Sequence, residues 1–379
     1  MFRIFGKTTV SEFLGDRIVY RNLIPADISL PSLDHLRPAL GIPAGEIPRK
    51  SEPDYARAIV RLLEAARAQD SPGAEIRRLI FVGDTRLLDG TAFENICAAG
   101  GWPGMAFIGS ENAGPPSVEV LPTSQGERLY LANRWSALAE FDRYCAAQGM
   151  PVDSSAAVVI DLDKTTLGAR GRNAQVIDAA RVRAVHVTVA GILGNAFDPG
   201  AFQRAYDLLN QPEFHPFTAD NQDYLAYICL ALGSGLYRLD DVVTRVRRGE
   251  LASFRVFIDE VQRRAGELPP AFDDVHRGIY ANVLTGDPTP FKPFRRNEFR
   301  ETVSRMGCLG DDAPVERFLA DEIVITQEVR GMALEWRQRG ALLFGLSDKP
   351  DEASLPTPEL AVQGYQPLHR TVTHAVGSL

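Results

Sequence analysis

Short, uninterrupted apolar runs, followed within two residues by a charged or polar residue, are the feature that most constrains how this chain can fold. They are Leu79–Val82, Met105–Ile108, Ala156–Ile160 and Ala341–Leu346. Runs of this length are typical of strands that are buried on both faces, as in a parallel sheet. Helical patterns lie before and between them, at 55–66, which is amphipathic, and at 91–99, 133–148 and 328–339. The alternation predicts an α/β fold, a Rossmann-like parallel sheet with helices on both faces.

A long helical block interrupts this alternation. Residues 201–339 have mostly helical patterns, broken by loops at 266–270 and 285–293. We therefore expect an inserted, mainly helical second domain. Residues 110–126 are rich in glycine, proline and serine and predict a loop or linker. A last strand is expected at 371–376.

Composition excludes several classes of protein. The chain has 379 residues, of which 45% are hydrophobic and 24% charged, as in an ordinary globular protein. Its net charge of −8 disfavours nucleic acid and membrane surfaces as partners. No apolar run approaches the roughly 18 residues of a membrane span, and the first residues lack the apolar stretch of a signal peptide. Together with four cysteines that form no CxxC pair, this predicts a cytoplasmic protein with free thiols and no zinc site.

Two aspartates follow the apolar run at 156–160. Asp161 and Asp163 come at positions i and i+2, in the sequence Asp161-Leu-Asp-Lys-Thr165. Two like charges at the mouth of a parallel strand need a cation or a shared proton. One carboxylate can attack an electrophile while the other transfers protons. A turn capped by aspartate is the structural alternative, and it leaves the second acid unexplained.

Three further polar elements stand at strand or helix ends. Asp84 and Asp89 follow the run at 79–82 and offer oxygen ligands to a hard cation, although Asp84 is also compatible with a helix N-cap. Ser347 follows the run at 341–346, where a hydroxyl and free backbone N–H groups can hold phosphate oxygens or simply cap a helix. Lys50 precedes the helix at 55–66 and can neutralise a phosphate, although most lone lysines are solvated.

Together these elements resemble the haloacid dehalogenase superfamily of phosphohydrolases. Asp161–Thr165 is similar to the family's DxDxT element, and Ser347 to its Ser or Thr after a second strand. Lys50 ahead of a helix resembles the family's lysine element. The sequence from Gly83 to Asp89 resembles its acidic GDxxxxD end.

The order of these elements departs from the family, because the lysine and the GDxxxxD elements come before DxDxT and the serine element comes last. The resemblance therefore implies a circular permutation. It places the core in 1–167 and 326–379 and a helical cap domain in 168–325. Permutation is tolerated where the original termini lie close together.

The resemblance also implies a mechanism. Asp161 would be the nucleophile that takes the phosphoryl group, and Asp163 would be the general acid and then the base for water. Ser347 and Lys50 would steady the transferred group, with Lys349 as the alternative lysine. A carboxylate that attacks a phosphate faces charge repulsion, which a cation and a lysine offset.

Mg²⁺ is the cofactor that the resemblance implies. Asp161, the backbone carbonyl of Asp163 and Asp84 would hold it, with Asp89 in support. Further candidates for substrate contact are Thr165, Arg172 in the loop after the nucleophile, and the basic residues Lys292, Arg295 and Arg296 of a predicted loop.

The function expected is a phosphatase that acts on a small phosphorylated metabolite. Dehalogenase members lack an acid two residues after the nucleophile, so Asp163 favours phosphoryl transfer. A phosphotransferase or mutase of the same family, or a non-catalytic member that binds a phosphorylated ligand or a partner, is the alternative. The sequence leaves the substrate and the oligomeric state open.

Overall fold

The structure, a computed structural model, describes residues 1–123, 126 and 128–378. The chain divides into two compact units. The first unit combines Met1–Ala179 with the chain from Thr302 onward, and the second is Ala180–Glu301. Strands and helices alternate along the first unit, which confirms the predicted α/β class.

Strands in the described residues form two sheets, both in the first unit. The strands are β1 (Phe2–Thr8), β2 (Ile18–Val19), β3 (Arg78–Gly83), β4 (Gly104–Gly109), β5 (Val118–Pro122), β6 (Arg128–Ala132), β7 (Ala156–Asp161), β8 (Ile325–Thr326), β9 (Leu342–Leu346) and β10 (Thr373–Ser378). The main sheet has seven strands in the order β2-β9-β7-β3-β4-β6-β5. Its neighbours are parallel except for β5 and β6, which are antiparallel.

The four apolar runs are strands of this sheet. They correspond to β3, β4, β7 and β9, and every residue of β4, β7 and β9 is buried. Burial on both faces explains why these strands have continuous apolar runs rather than an alternating pattern. The predicted parallel sheet is therefore confirmed.

The sequence analysis did not predict strands β1, β2, β5, β6 and β8. The predicted loop at 110–126 contains β5, an edge strand whose residues are mostly exposed, while residues 124 and 125 lie outside the described part of the chain. An exposed edge strand needs no apolar run, which is why its composition suggested a loop. The strand expected at 371–376 is β10, but it belongs to the second sheet, of order β1-β10-β8.

The first unit also contains helices, several of which pack against the main sheet. In the first unit they are α1 (Ser11–Leu14), α2 (Leu33–Leu40), α3 (Pro53–Asp70), α4 (Leu88–Gly100), α5 (Leu138–Ala147), α14 (Val315–Asp321), α15 (Gln327–Gln338) and α16 (Pro358–Val362). Helix α3 begins with proline at its first turn, a favoured position, and buries the face that contains Ile59, Leu63 and Ala66. These side chains join a core with β3, β7 and β9.

Helices also form the second unit, and its core contains Tyr227, Phe254 and Phe257. They are α6 (Ala174–Leu193), which begins in the first unit, α7 (Pro199–Leu209), α8 (His215–Thr218), α9 (Gln222–Gly233), α10 (Leu239–Arg247), α11 (Phe254–Arg263), α12 (Pro270–Leu284) and α13 (Lys292–Val303), which ends in the first unit. The predicted basic loop at 292–296 is the start of α13, so that expectation was wrong.

The helical unit is shorter than the 168–325 expected from the sequence. Residues 168–179 and 302–325 belong to the first unit because they are bonded to one another there. Gly168 N donates to Val324 O, and the Asn173 side chain donates to Glu322 O and accepts from Val324 N.

Candidate active site

Neighbouring strands bring the predicted elements to one edge of the main sheet. In the parallel pairs, Val82 lies beside Ile160, and Asp161 lies beside Leu346. The residues that follow β3, β7 and β9 therefore leave the sheet at the same carboxyl edge, which is where open α/β sheets bind ligands. Asp84, Asp161 and Ser347 are three of these residues.

Three buried carboxylates meet at this edge. Asp84, Asp89 and Asp161 each offer an oxygen, and these oxygens lie within 4.8 Å of one another. Asp89 lies in the first turn of α4, and its Oδ2 accepts hydrogen bonds from the backbone N–H groups of Asp84 and Thr85. A Cβ at Gly83 would lie 2.7 Å from Cβ and Cγ of Asp89, so only glycine allows this approach.

Lys50 joins two of the three carboxylates. Its Nζ lies 2.6 Å from Asp89 Oδ1 and 2.5 Å from Asp161 Oδ1, and its side chain is 5% exposed. The lysine precedes α3, and α3 packs on the sheet beside β9. The structure therefore brings together Lys50, Asp84, Asp89 and Asp161, although they come from three separate segments of the chain.

The charges of this site are unevenly compensated. Burial opposes the charged form of Lys50, but Asp161 and Asp89 hold its pKa well above the usual value. Burial would raise the pKa of Asp89, but Lys50 and the hydrogen bonds lower it to about 2. Burial and the neighbouring Asp89 raise the pKa of Asp84 to about 7. Burial, with Asp89 and Asp84 nearby, raises the pKa of Asp161 despite Lys50. One lysine is therefore too little positive charge for three carboxylates.

The loop after β7 is held in a fixed conformation. Thr166 Oγ1 donates to Asp161 O over 2.8 Å, and Lys164 has a positive φ of 63°. A non-glycine residue in this region is uncommon and is often found at functional sites. Thr165 is fully buried, and its hydroxyl has no hydrogen-bond partner in the described part of the chain.

Asp163 and Ser347 lie beside the carboxylates in different environments. The Asp163 side chain is 29% exposed, and its Oδ1 lies 3.8 Å from Lys349 Nζ. Ser347 is buried, its Oγ accepts from Lys349 N over 3.1 Å, and its backbone N donates to Val19 O. Of the two lysines considered from the sequence, Lys50 thus faces Asp89 and Asp161, and Lys349 faces Asp163.

Arg170 is a contact residue that the sequence analysis missed. Its Nε donates to Asp84 Oδ2, and its side chain is 37% exposed. The backbone carbonyl of Arg170 accepts from Glu111 N and from Trp135 Nε1, which fixes the loop. Only its spacing from Asp161, within the segment Ala169-Arg-Gly-Arg172, could have indicated it.

Three of the other predicted substrate contacts, Arg172, Lys292 and Arg295, take part in ion pairs. Arg172 is buried between Glu111 and Glu328, and it contacts each of them with two nitrogens. Its guanidinium therefore has a structural role that explains its burial. Lys292, Arg295 and Arg296 lie on α13 in the second unit, where Lys292 pairs with Asp287, Arg295 pairs with Asp223 and Glu298, and Arg296 is exposed.

Comparison of the chain with protein-family models, with curated proteins and with solved structures found no match. No described helix has both the length and the apolar composition to cross a membrane.

Proposed function

We propose that this protein is a Mg²⁺-dependent phosphohydrolase of the haloacid dehalogenase type that acts on a small phosphorylated metabolite. The observation that carries the proposal is the meeting of Asp84, Asp89 and Asp161 around Lys50 at the carboxyl edge of the sheet. The four strand and helix ends that suggested the resemblance are distant in sequence, and three of them contribute to this contact.

The residues present fit a hard divalent cation. All three clustered groups are carboxylates, the ligand type that Mg²⁺ prefers, and Lys50 leaves part of their charge uncompensated. Asp161 and Asp84 would hold the ion, with the carbonyl of Asp163 and with Asp89 in support. The bound ion would supply positive charge where the transferred phosphoryl group gathers negative charge.

The protein's own residues account for the remaining chemistry. Asp161, at the end of β7, attacks the phosphorus and takes the phosphoryl group, and the leaving alcohol departs from the opposite side. Asp163 is more exposed than Asp161, so it is placed to give a proton to that alcohol and to take one from water in the second step. Lys50 and Ser347 hold the phosphoryl oxygens, and Lys50 keeps its proton because its pKa is raised.

Chain order supports the permuted form of this family. The strand that carries Asp161 lies between the strand that precedes Ser347 and the strand that precedes Asp84. A circular permutation, which joins the original termini and opens the chain in another loop, would leave this order of strands at the carboxyl edge unchanged.

Release of phosphate from p-nitrophenyl phosphate tests the proposal. We expect turnover with Mg²⁺ that is lost in EDTA and in Asp161→Asn, and an acid-stable aspartyl-phosphate that hydroxylamine cleaves. Asp54→Asn, at an exposed ion pair on α3, is the matched control and should keep the activity. Turnover that survives in Asp161→Asn would refute the assignment of the nucleophile, and an inactive wild-type protein across a panel of phosphorylated metabolites would refute the function.

A further inference from the structure

An arginine that the proposed chemistry does not use lies on the same edge of the sheet. Arg21 follows β2, the strand beside β9, and its backbone N donates to Lys349 O over 3.2 Å. Its Nη1 donates to Asp348 Oδ1, directly after Ser347. The Arg21 side chain is 7% exposed. It is therefore held next to the serine element.

One edge of this guanidinium is left open. Arg21 Nε is buried and has no acceptor within the described part of the chain, while Nη1 is taken by Asp348. The Nε–H and the adjacent Nη2–H groups point the same way and form the fork that binds two oxygens of a carboxylate or phosphate. A buried donor without an acceptor is costly, so such groups call for an explanation.

A second unsatisfied donor lies near by. Tyr55, in the first turn of α3, is 1% exposed, and its hydroxyl is buried without a partner among the described residues. Burial raises the pKa of this phenol, which keeps its proton, and the charged groups that act on it are Lys50, Asp348, Asp161 and Arg21. Tyr55 also packs in one buried cluster with Val19 of β2 and Leu346 of β9, so the two open donors belong to one neighbourhood of the site.

We propose that Arg21 and Tyr55 bind a second oxyanion of the substrate, so that the substrate is a phosphate ester that also carries a carboxylate or another phosphate. This inference rests on the proposed function, which gives the transferred phosphoryl group to Lys50 and Ser347. Two strand spacings, about 10 Å, separate β2 from β7. Arg21 thus meets a part of the ligand that lies to the side of the reacting phosphorus. Both residues determine specificity.

The matched probes are 2-phosphoglycolate and ethyl phosphate, which are similar in size and differ in one carboxylate. In calorimetry, we expect wild-type protein to bind 2-phosphoglycolate about tenfold more tightly than ethyl phosphate, because the carboxylate adds a bidentate charged contact. Arg21→Met should remove this preference, and Arg21→Lys should restore only part of it. Arg17→Met, at an ion pair with Asp70, is the control and should keep the preference.

Tyr55→Phe separates a binding role from a structural one. It deletes only the unsatisfied hydroxyl, so the melting temperature should stay the same or rise while the affinity for 2-phosphoglycolate falls about threefold or more. A lower melting temperature with unchanged affinity would assign Tyr55 a structural role and overturn its part of the inference.

Binding and turnover distinguish the two proposals. Suppose that wild-type protein hydrolyses phosphate esters. If Arg21→Met then retains the preference for 2-phosphoglycolate, the second oxyanion site is refuted and the phosphatase stands. The same conclusion follows if wild-type protein prefers neither 2-phosphoglycolate nor 3-phosphoglycerate over ethyl phosphate. If the preference is present and depends on Arg21 but no ester is hydrolysed, the oxyanion site stands and the phosphatase is refuted.

Discussion

Two buried clusters of charge, one in each unit, are built on different principles. In the helical unit, Asp223 accepts from Arg295 and from Phe291 N, and Glu298 accepts from Arg295 and Arg181. At the sheet edge, three carboxylates share Lys50, and Asp84 has a partly exposed arginine as its other partner. The first cluster compensates its own charge, whereas the second leaves negative charge that a bound cation can compensate.

Burial alone does not separate the two clusters. It raises the pKa of Asp223 in the helical unit as it raises the pKa of Asp84 and Asp161 at the sheet edge. The difference lies in the balance of charge, because two arginines face two carboxylates in the helical unit, whereas Lys50 and Arg170 face three carboxylates at the sheet edge. We expect removal of a carboxylate to destabilise the helical cluster, whereas at the sheet edge it removes activity instead.

The largest expected effect is the loss of phosphatase activity in Asp161→Asn, by at least about 10³-fold, because the nucleophile is gone. In metal-free buffer the variant should melt no lower than wild type, since one of three crowded carboxylates has become neutral. Steady-state kinetics and thermal unfolding check both parts. Strong destabilisation of Asp161→Asn would remove the contrast between the clusters.

Asp223→Asn should destabilise the protein by about 3–5 kcal/mol, because it leaves the buried Arg295 short of a partner. Urea unfolding measures the change. Asp274→Asn, at an exposed pair with Arg277 in the same unit, should cost less than about 0.5 kcal/mol. Equal midpoints for the two variants would show that the helical cluster contributes little.

Added Mg²⁺ should stabilise the wild-type protein by about 2.7 kcal/mol at a concentration of 100 times its Kd. The expected cause is compensation of the surplus charge on Asp84 and Asp161, so the effect should be lost in Asp84→Asn. Thermal unfolding with Mg²⁺ and with EDTA provides the measurement. The same stabilisation in Asp84→Asn would place the ion elsewhere.

Arg170→Ala should bind Mn²⁺ about two- to fivefold more tightly than wild type, because Arg170 and the ion compete for Asp84. The effect is small since the arginine side chain is more than one third exposed. Arg86→Ala removes the same charge from an exposed position in the loop after β3 and is the control in calorimetry. Identical affinities for the two variants would contradict direct competition.

Mild acid should weaken the helical unit, with the smallest effect of the series. Burial lowers the pKa of His276, which is hydrogen bonded to Tyr227 and Gln262. Below its usual value of about 6.5 the unfolded chain binds the proton and the folded chain does not, so stability falls as the pH drops from about 7. Urea midpoints at several pH values, with His276→Gln as the comparison, test this slope, and a parallel decline in both proteins would exclude His276 as its source.

The sequence by itself determined the α/β class, the four central strands and the acids that follow them. These features are local, because a buried strand needs a continuous apolar run and its end can be located from neighbouring residues. The edge strands β2 and β5 lacked this signal, since one has two residues and the other is mostly exposed.

Only the tertiary structure decided which groups meet. The packing of α3 on the sheet placed Lys50, rather than Lys349, between Asp89 and Asp161. The loop after β7 assigned Arg172 to two internal ion pairs and Arg170 to Asp84. These contacts join residues that are far apart in the chain, so no local pattern encodes them. The physical reason is that the partner of a charged side chain is set by sheet register and loop packing, which depend on the whole fold.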